Sequence, residues 1–185
     1  MKLVENGFQG FDGTELHYRA WLSDSPVATM IMTHGLGEHS GAYTRLAEGL
    51  KDSGFNIFVW DLRGHGKSKG DRGVIGEWAD YTRDLVRFVQ HVKGLGAFKE
   101  PLILSAHSMG GLVLLKTLLD HGTLGAVGFT LSSPLLGIAV QVPAVKRAGA
   151  HVLARLVPKF TMANEIDYKD LTHDQAIIAE YEKDT

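Results

Sequence analysis

Ser105-Ala106-His107-Ser108-Met109-Gly110-Gly111 is the stretch of sequence that decides the fold. An apolar run over residues 101–104 precedes it and predicts a buried strand. A second apolar run over residues 112–119 follows it and predicts a buried helix that ends at Gly122. A strand, a sharp turn carrying a serine and then a helix form the setting of a nucleophile elbow, which presents the serine Oγ above the sheet edge. The sequence therefore predicts Ser108 as a nucleophile.

The stretch departs from the usual Gly-x-Ser-x-Gly elbow at its first position, where Ala106 adds a methyl group. An alternative interpretation is that residues 107–111 are an ordinary helix start with a serine cap. Gly110 keeps the small residue that lets strand and helix approach each other. The helix N-terminus would also direct backbone N–H groups at an oxyanion beside the serine. The neighbouring segments favour the elbow.

Composition excludes several classes of function. The chain has 185 residues, which fits one sizeable core, and a net charge of -2 that gives no reason to propose a nucleic-acid partner. It has no cysteine, so disulfides and thiolate metal sites are excluded. No secretory signal and no apolar run of membrane-spanning length is found, so we expect a cytoplasmic protein. We also expect that the protein uses no cofactor.

Strand and helix patterns alternate along the first 134 residues. Asp12-Gly13 lies between two strand-like runs and predicts an antiparallel hairpin. Apolar strands are predicted at 27–33, 55–60, 101–104 and 126–131, with helices at 43–50, 78–92 and 112–119. This order predicts an α/β fold with a mostly parallel sheet and helices on both faces. The loops at the carboxyl ends of the strands, 34–39, 61–68, 106–111 and 132–135, should converge on one crevice.

The alternation stops after residue 134, which divides the chain into an α/β core over 1–134 and the start of a helical cap over 135–185. A helix is predicted at 143–158, and Thr172 with Gln175 predicts a capping box before another. The basic face of the 143–158 helix suggests contact with a lipid surface, a peripheral membrane role. The alternative is that its apolar face packs on the core.

The glycine-rich turn from His34 to Gly37 follows a predicted strand, and we assign the oxyanion donors as the amides of Leu36 and Met109. The alternative is an ordinary strand-to-helix turn.

Two other motifs suggest ligand sites, and both are rejected. Residues 64–68 end in Gly-Lys-Ser, but a phosphate loop needs a glycine where Asp61 stands. Asp61 and Arg63 are expected to bond within that loop and hold its shape. His34, His39 and His65 do not match a metal-ligand spacing, so no metal is predicted.

The four motifs together resemble the monoacylglycerol lipase and lysophospholipase branch of the α/β-hydrolase superfamily, whose members include serine aminopeptidase S33-like proteins. They are His34-Gly35-Leu36-Gly37-Glu38-His39-Ser40-Gly41-x-Tyr43, Asp61-x-Arg63-Gly64-His65-Gly66-x-Ser68, His107-Ser108-Met109-Gly110-Gly111 and Leu131-Ser132-Ser133-Pro134. The resemblance implies hydrolysis of a monoacylglycerol or lysophospholipid ester through an acyl-enzyme on Ser108, with Leu36 and Met109 as oxyanion donors. Residues expected to support the site are His34, Gly35, Gly37, His107, Gly110, Asp61 and Arg63.

One departure from this family is serious, because its acid and histidine follow the serine on later strands. His121 ends the helix that starts at Ser108, about 18 Å away at 1.5 Å per residue. Asp167 or Asp170 with His173 would lie in the cap. We therefore expect an N-terminal part that lacks the C-terminal strands and the triad Asp and His, is poorly active alone, and is completed by a second chain or further sequence. Alternatives are a non-catalytic binding or regulatory remnant, or another acyl hydrolase such as an aminopeptidase or thioesterase.

Overall fold

A computed structural model describes residues 1–137, 156–157 and 172–181. Six strands form one mixed sheet: β1 (Lys2–Gln9), β2 (Glu15–Leu22), β3 (Ala28–Thr33), β4 (Phe55–Trp60), β5 (Leu102–His107) and β6 (Gly128–Ser132). Their spatial order is β1-β2-β4-β3-β5-β6. The first two pairings are antiparallel, and those of β3 with β4, β3 with β5 and β5 with β6 are parallel. The predicted α/β class and mostly parallel sheet are confirmed.

Helices cover both faces of the sheet, as predicted. They are α1 (Thr44–Gly49), preceded by a 3-10 turn at Ser40–Tyr43, then α2 (Ala79–Lys93) and α3 (Ser108–His121). A further helix, α4 (Gln175–Tyr181), comes later in the chain. Ala47 of α1 packs with Trp21 and Met32 on one face. Phe88 of α2 and Val113 of α3 lie in the larger cluster on the other face. Burying these side chains on both faces supplies the main apolar stabilisation of the sheet.

The predicted hairpin is present, but its first strand is longer than the sequence suggested. Lys2 pairs with Leu22 and Gln9 with Glu15, so eight residues of each strand are in register. Gly13, with φ +82°, lies in the connection. Most of β1 is exposed, with Phe8 as its one buried side chain. An exposed strand carries no apolar alternation, which is why the pattern indicated only its end.

Helix α4 is capped differently from the prediction. The Asp174 carboxylate accepts from the amides of Ala176 at 2.9 Å and Ile177 at 3.4 Å, while the Thr172 hydroxyl accepts from the Asp174 amide at 3.2 Å. The cap is therefore Asp174, because a carboxylate directly before the helix reaches the free amides more easily than a hydroxyl two residues earlier.

The helix predicted at 143–158 lies outside the described residues apart from 156 and 157, so its lipid-surface role and the division at residue 134 stay predictions. Within the described ranges, no helix has the length and apolar character needed to cross a bilayer.

Strand β6 forms the edge of the sheet in the described part of the chain, where it pairs with β5 alone. Its Phe129 is 53% exposed. Among these residues, β6 therefore leaves an exposed apolar side chain at the open edge of the sheet.

Candidate active site

Ser108 lies at the junction of β5 and α3, where the chain turns sharply. Its φ is +50°, a left-handed conformation that non-glycine residues rarely adopt and that costs about 1–3 kcal/mol. The Ser108 carbonyl accepts a hydrogen bond from the Leu135 amide at 2.9 Å. Ser108 is half-buried and is the first residue of α3, directly after the N-cap His107. This is the strained turn that the elbow hypothesis requires.

Small residues allow α3 to lie against the end of β3. A Cβ added to Gly110 would be 2.4 Å from the carbonyl oxygens of both Thr33 and His34. Ala106, the residue that departs from the elbow pattern, is fully buried and its methyl group is accommodated in the core. The close approach of strand and helix expected at these positions is therefore present.

The loop over residues 34–39 contacts the turn at Ser108 through Gly35. A Cβ on Gly35 would be 3.0 Å from the Ser108 Cβ. The Gly35 amide donates to Glu38 Oε2 at 2.8 Å, and the same oxygen accepts from the Tyr43 hydroxyl at 2.8 Å. Gly37 has φ +73° and turns the loop. Leu36, the next residue of this loop after Gly35, is 47% exposed.

The N-terminus of α3 is available for an anion. No side chain caps it at His107, and the first-turn amides of a helix have no acceptor within the helix. The Met109 amide belongs to this turn, while its side chain is buried in the main core. The helix dipole adds a partial positive charge at the same point.

His34 is a buried, neutral strut between two of the loops. Its Nε2 accepts from the Leu62 amide at 3.0 Å, so its proton is on Nδ1, which donates to the Gly35 carbonyl at 2.7 Å. Burial lowers the pKa of His34 to about 4. Both nitrogens are engaged, which explains its place in the site without any metal.

We expect this histidine to make the fold sensitive to mild acid. The unfolded chain takes up the proton near pH 6.5, whereas folded His34 resists it down to about pH 4, so stability falls as pH drops through that range. At about 1.4 kcal/mol per pH unit, His34 should remove about 2 kcal/mol between pH 6.5 and pH 5. Urea unfolding at the two pH values measures it.

His34→Gln should lower stability at neutral pH and flatten this pH dependence. The control His121→Gln changes an exposed histidine and should leave the slope unchanged. Equal slopes for the parent and His34→Gln would contradict the assignment.

Asp61 bonds within the 61–68 loop, as expected, and it also connects this loop to the 3-10 turn. Its Oδ1 accepts from the Ser40 amide at 2.6 Å, and its Oδ2 from the Lys67 amide at 2.9 Å and lies 3.0 Å from His17 Nδ1. Burial alone would raise the pKa of Asp61, but the Ser40 and Lys67 amides outweigh it and hold the pKa below its usual range. The Asp61 carboxylate therefore stays ionised and accepts hydrogen bonds from these backbone amides.

The Arg63 side chain was expected to bond within its own loop, but it bonds to other segments of the chain instead. Its Nε donates to Asp84 Oδ2 of α2 at 2.7 Å, and its Nη1 to Asp12 Oδ2 of the hairpin connection at 3.0 Å. The guanidinium also lies 5.0 Å from the centre of the Phe11 ring. Arg63 therefore fastens the hairpin to α2. The physical reason is that a long, planar donor reaches two carboxylates from distant segments and satisfies them together.

The 132–135 loop contacts the site at His107 of the elbow. Its Nδ1 lies 3.1 Å from the Ser132 carbonyl oxygen, and its Nε2 lies 3.8 Å from Glu38 Oε1. A Cβ on Gly111 would be 2.8 Å from Pro134 Cβ. The 132–135 loop thus contacts the elbow on one side while the 34–39 loop contacts it on the other. The predicted convergence of the four loops is confirmed.

Two contributors were not identified from the sequence. Glu38 and Tyr43 hold the Gly35 turn, and the signal available was a carboxylate three residues after a glycine at a strand end. In the residues that the structure describes, no group of three or more His, Asp or Glu could hold a metal ion. His39 and His65 are placed here as loop residues, and His65 Nδ1 lies 3.1 Å from the Arg63 carbonyl oxygen.

Comparison with known proteins gives consistent matches. Residues 24–185 match a family described as serine aminopeptidase, S33. The Mus musculus monoglyceride lipase is 31% identical over 179 residues, covering 94% of this chain and 57% of that protein. The Bacillus subtilis phospholipase YtpA is 27% identical over 165 residues, covering 89% and 62% respectively.

Solved structures match as well. A Paleococcus ferrophilus monoacylglycerol lipase superposes with a TM-score of 0.72 at 28% identity, covering 100% of this chain and 63% of that chain. A soluble variant of the Saccharomyces cerevisiae monoglyceride lipase gives a TM-score of 0.73 at 25% identity, covering 97% and 60%. The chain thus spans less than two thirds of the length of each of these relatives.

Proposed function

We propose, from the premise that the chain belongs to the serine aminopeptidase S33 family of α/β hydrolases, that it is a serine hydrolase of carboxylic esters. The observation that carries the proposal is the left-handed Ser108 at the uncapped N-terminus of α3. A strained serine placed beside free backbone donors suits attack on a carbonyl carbon and stabilisation of the charge that develops on its oxygen.

In the proposed reaction, the Ser108 Oγ attacks the ester carbonyl carbon as its proton passes to a base. The carbonyl oxygen becomes an oxyanion that accepts from the amides of Leu36 and Met109. Collapse of this intermediate breaks the bond to the alcohol, which leaves with a proton, and an acyl-enzyme remains. Water then attacks the acyl group, and the acid and free Ser108 are released. His34, Gly35, Gly37, His107, Gly110, Asp61 and Arg63 hold the surrounding loops.

The proposed substrate is an ester of a monoacyl lipid, either a monoacylglycerol or a lysophospholipid. Relatives named as monoglyceride lipases and a phospholipase support this class. The exposed Leu36 supports it too, because it follows Gly35 in the loop that contacts the Ser108 turn, where an apolar side chain suits an acyl chain. Aminopeptidase and thioesterase chemistry on the same scaffold are the alternatives.

The general base is the missing part of the proposal. Among the described residues, no side chain hydrogen-bonds to the Ser108 hydroxyl, and the neighbouring His107 turns to Ser132. A serine without a base is a weak nucleophile, so we propose that the 185 residues alone are poorly active. The same observation supports a second candidate, a binding or regulatory protein that keeps the loops of this site without turnover.

The chemistry of position 108 can be tested without the base. The chain has no cysteine, so Ser108→Cys introduces a single thiol. We expect the pKa of this thiol to fall below its usual value of about 8.5, because it lies at a helix N-terminus, which stabilises the thiolate. The rate of alkylation by iodoacetamide as a function of pH measures this pKa.

The matched control is Ser25→Cys, which places a thiol in an exposed loop remote from the elbow. It should titrate near the ordinary value. Acylation by p-nitrophenyl butyrate, followed as p-nitrophenolate release, is expected for Ser108→Cys and not for the control. Equal pKa values and equal acylation rates for the two variants would refute the hydrolase proposal.

A further inference from the structure

A carboxylate and a phenol hold the turn that carries the Leu36 amide. We propose that Glu38 and Tyr43 are positioning residues that fix the Leu36 N–H toward Ser108 for the oxyanion. This inference rests on the proposed function, and we refer to the Glu38 carboxylate and the Tyr43 hydroxyl together as the clamp.

The amides of Gly35 and Leu36 differ in whether a partner within the loop already occupies them. The Gly35 N–H is occupied, since it donates to Glu38 Oε2 at 2.8 Å. It is therefore not free to meet an oxyanion, although a Cβ on Gly35 would lie 3.0 Å from the Ser108 Cβ. The next amide along the loop, that of Leu36, is the donor that remains.

The orientation of the Gly35–Leu36 peptide plane sets the direction of the Leu36 N–H. The Gly35 carbonyl and the Leu36 N–H belong to one planar trans peptide and point in opposite directions. That carbonyl accepts from the buried His34 Nδ1 at 2.7 Å and from the Glu38 amide at 3.4 Å. Because the oxygen is held on the His34 side, the Leu36 N–H is directed away from the buried core.

Glu38 and Tyr43 keep this peptide plane in place. Gly35 and the left-handed Gly37 are both intrinsically permissive, so the turn needs an external restraint. Glu38 Oε2 supplies it by accepting from the Gly35 amide and, at 2.8 Å, from the Tyr43 hydroxyl. Burial and the Glu38 charge raise the pKa of Tyr43 well above its usual range, so Tyr43 stays a donor. One oxygen thus connects the loop to the 3-10 turn.

The test compares two reactions of the Ser108→Cys variant. In acylation by p-nitrophenyl butyrate, the thiolate attacks the carbonyl carbon, a C–S bond forms, and the C–O bond breaks as p-nitrophenolate leaves with the electron pair. This reaction passes through an oxyanion. Alkylation by iodoacetamide displaces iodide at a saturated carbon and has no oxyanion. Only the first reaction needs the Leu36 N–H.

We expect Glu38→Ala to lower the acylation rate by at least about 10-fold, and at most by the 10²–10³-fold that complete loss of an oxyanion donor costs. The alkylation rate, measured for each variant at a pH where its thiol is fully ionised, should stay unchanged. Tyr43→Phe removes one of the two bonds and should give a smaller, equally selective loss. Glu48→Gln changes an exposed carboxylate on α1 and is the matched control, with neither rate affected.

The outcomes separate the two levels of the argument. If the parent Ser108→Cys chain is not acylated, the proposed function itself fails. If the parent is acylated and Glu38→Ala alters neither rate, the clamp has no positioning role. If Glu38→Ala lowers both rates equally, the effect is general disruption and the inference is overturned.

Discussion

The 185-residue chain is expected to hydrolyse p-nitrophenyl butyrate on the order of 10⁶-fold more slowly than an enzyme with an intact catalytic triad, the loss that follows removal of the base. The reason is geometric. In the part of the chain that the structure describes, the imidazoles near the elbow are otherwise engaged. His34 bonds to two backbone groups, and His107 lies against Ser132.

The measurement compares initial rates with those of the mouse monoglyceride lipase assayed in parallel. Ser108→Ala is the control that separates residual activity of the site from background, and it should remove whatever activity the chain has. His173→Ala tests the one cap histidine considered as a base, and it should change nothing. Turnover comparable to that of the lipase would contradict the expectation, and loss of activity in His173→Ala would place the base in the cap.

The second large effect is expected at Gly110. Gly110→Ala places a methyl group 2.4 Å from two backbone carbonyl oxygens, those of Thr33 and His34. Strand β3 is paired on both sides, by β4 and β5, so its backbone has little freedom to withdraw. We expect a loss of at least about 3 kcal/mol in the free energy of unfolding, at the upper end of overpacking effects.

Urea unfolding measures this loss. The control is Gly49→Ala, where nothing lies within 4 Å of the added Cβ and the helical position favours alanine. It should leave stability unchanged or raise it by up to about 1 kcal/mol. An unchanged urea midpoint for Gly110→Ala would show that α3 is not held against β3 as described.

Much of the fold follows from local patterns in the sequence. Strand β4 lies at the predicted residues, and the elbow and the loop convergence follow from placing each glycine-rich turn at a strand end. The resemblance to the lipase branch is confirmed by the S33 family match and the monoglyceride lipase relatives. These features depend on residues close together in the chain, which is why periodicity and motif spacing reach them.

Long-range polar contacts were beyond this reasoning. Arg63 meets Asp84 from 21 residues away and Asp12 from 51, and no local pattern selects those partners. Exposed β1 carried no apolar alternation. The clamp was missed because Glu38 and Tyr43 were interpreted only as parts of a motif. The roles assigned to Ser108, Leu36 and Met109 stay predictions, since each is a statement about chemistry.

The left-handed residue 108 lies between β5 and α3, and its carbonyl is held by the Leu135 amide. In a protein with no native thiol, this makes position 108 a platform for installed nucleophiles and reporter groups. A spin label or fluorophore attached there would sense the electrostatic environment of the helix terminus directly.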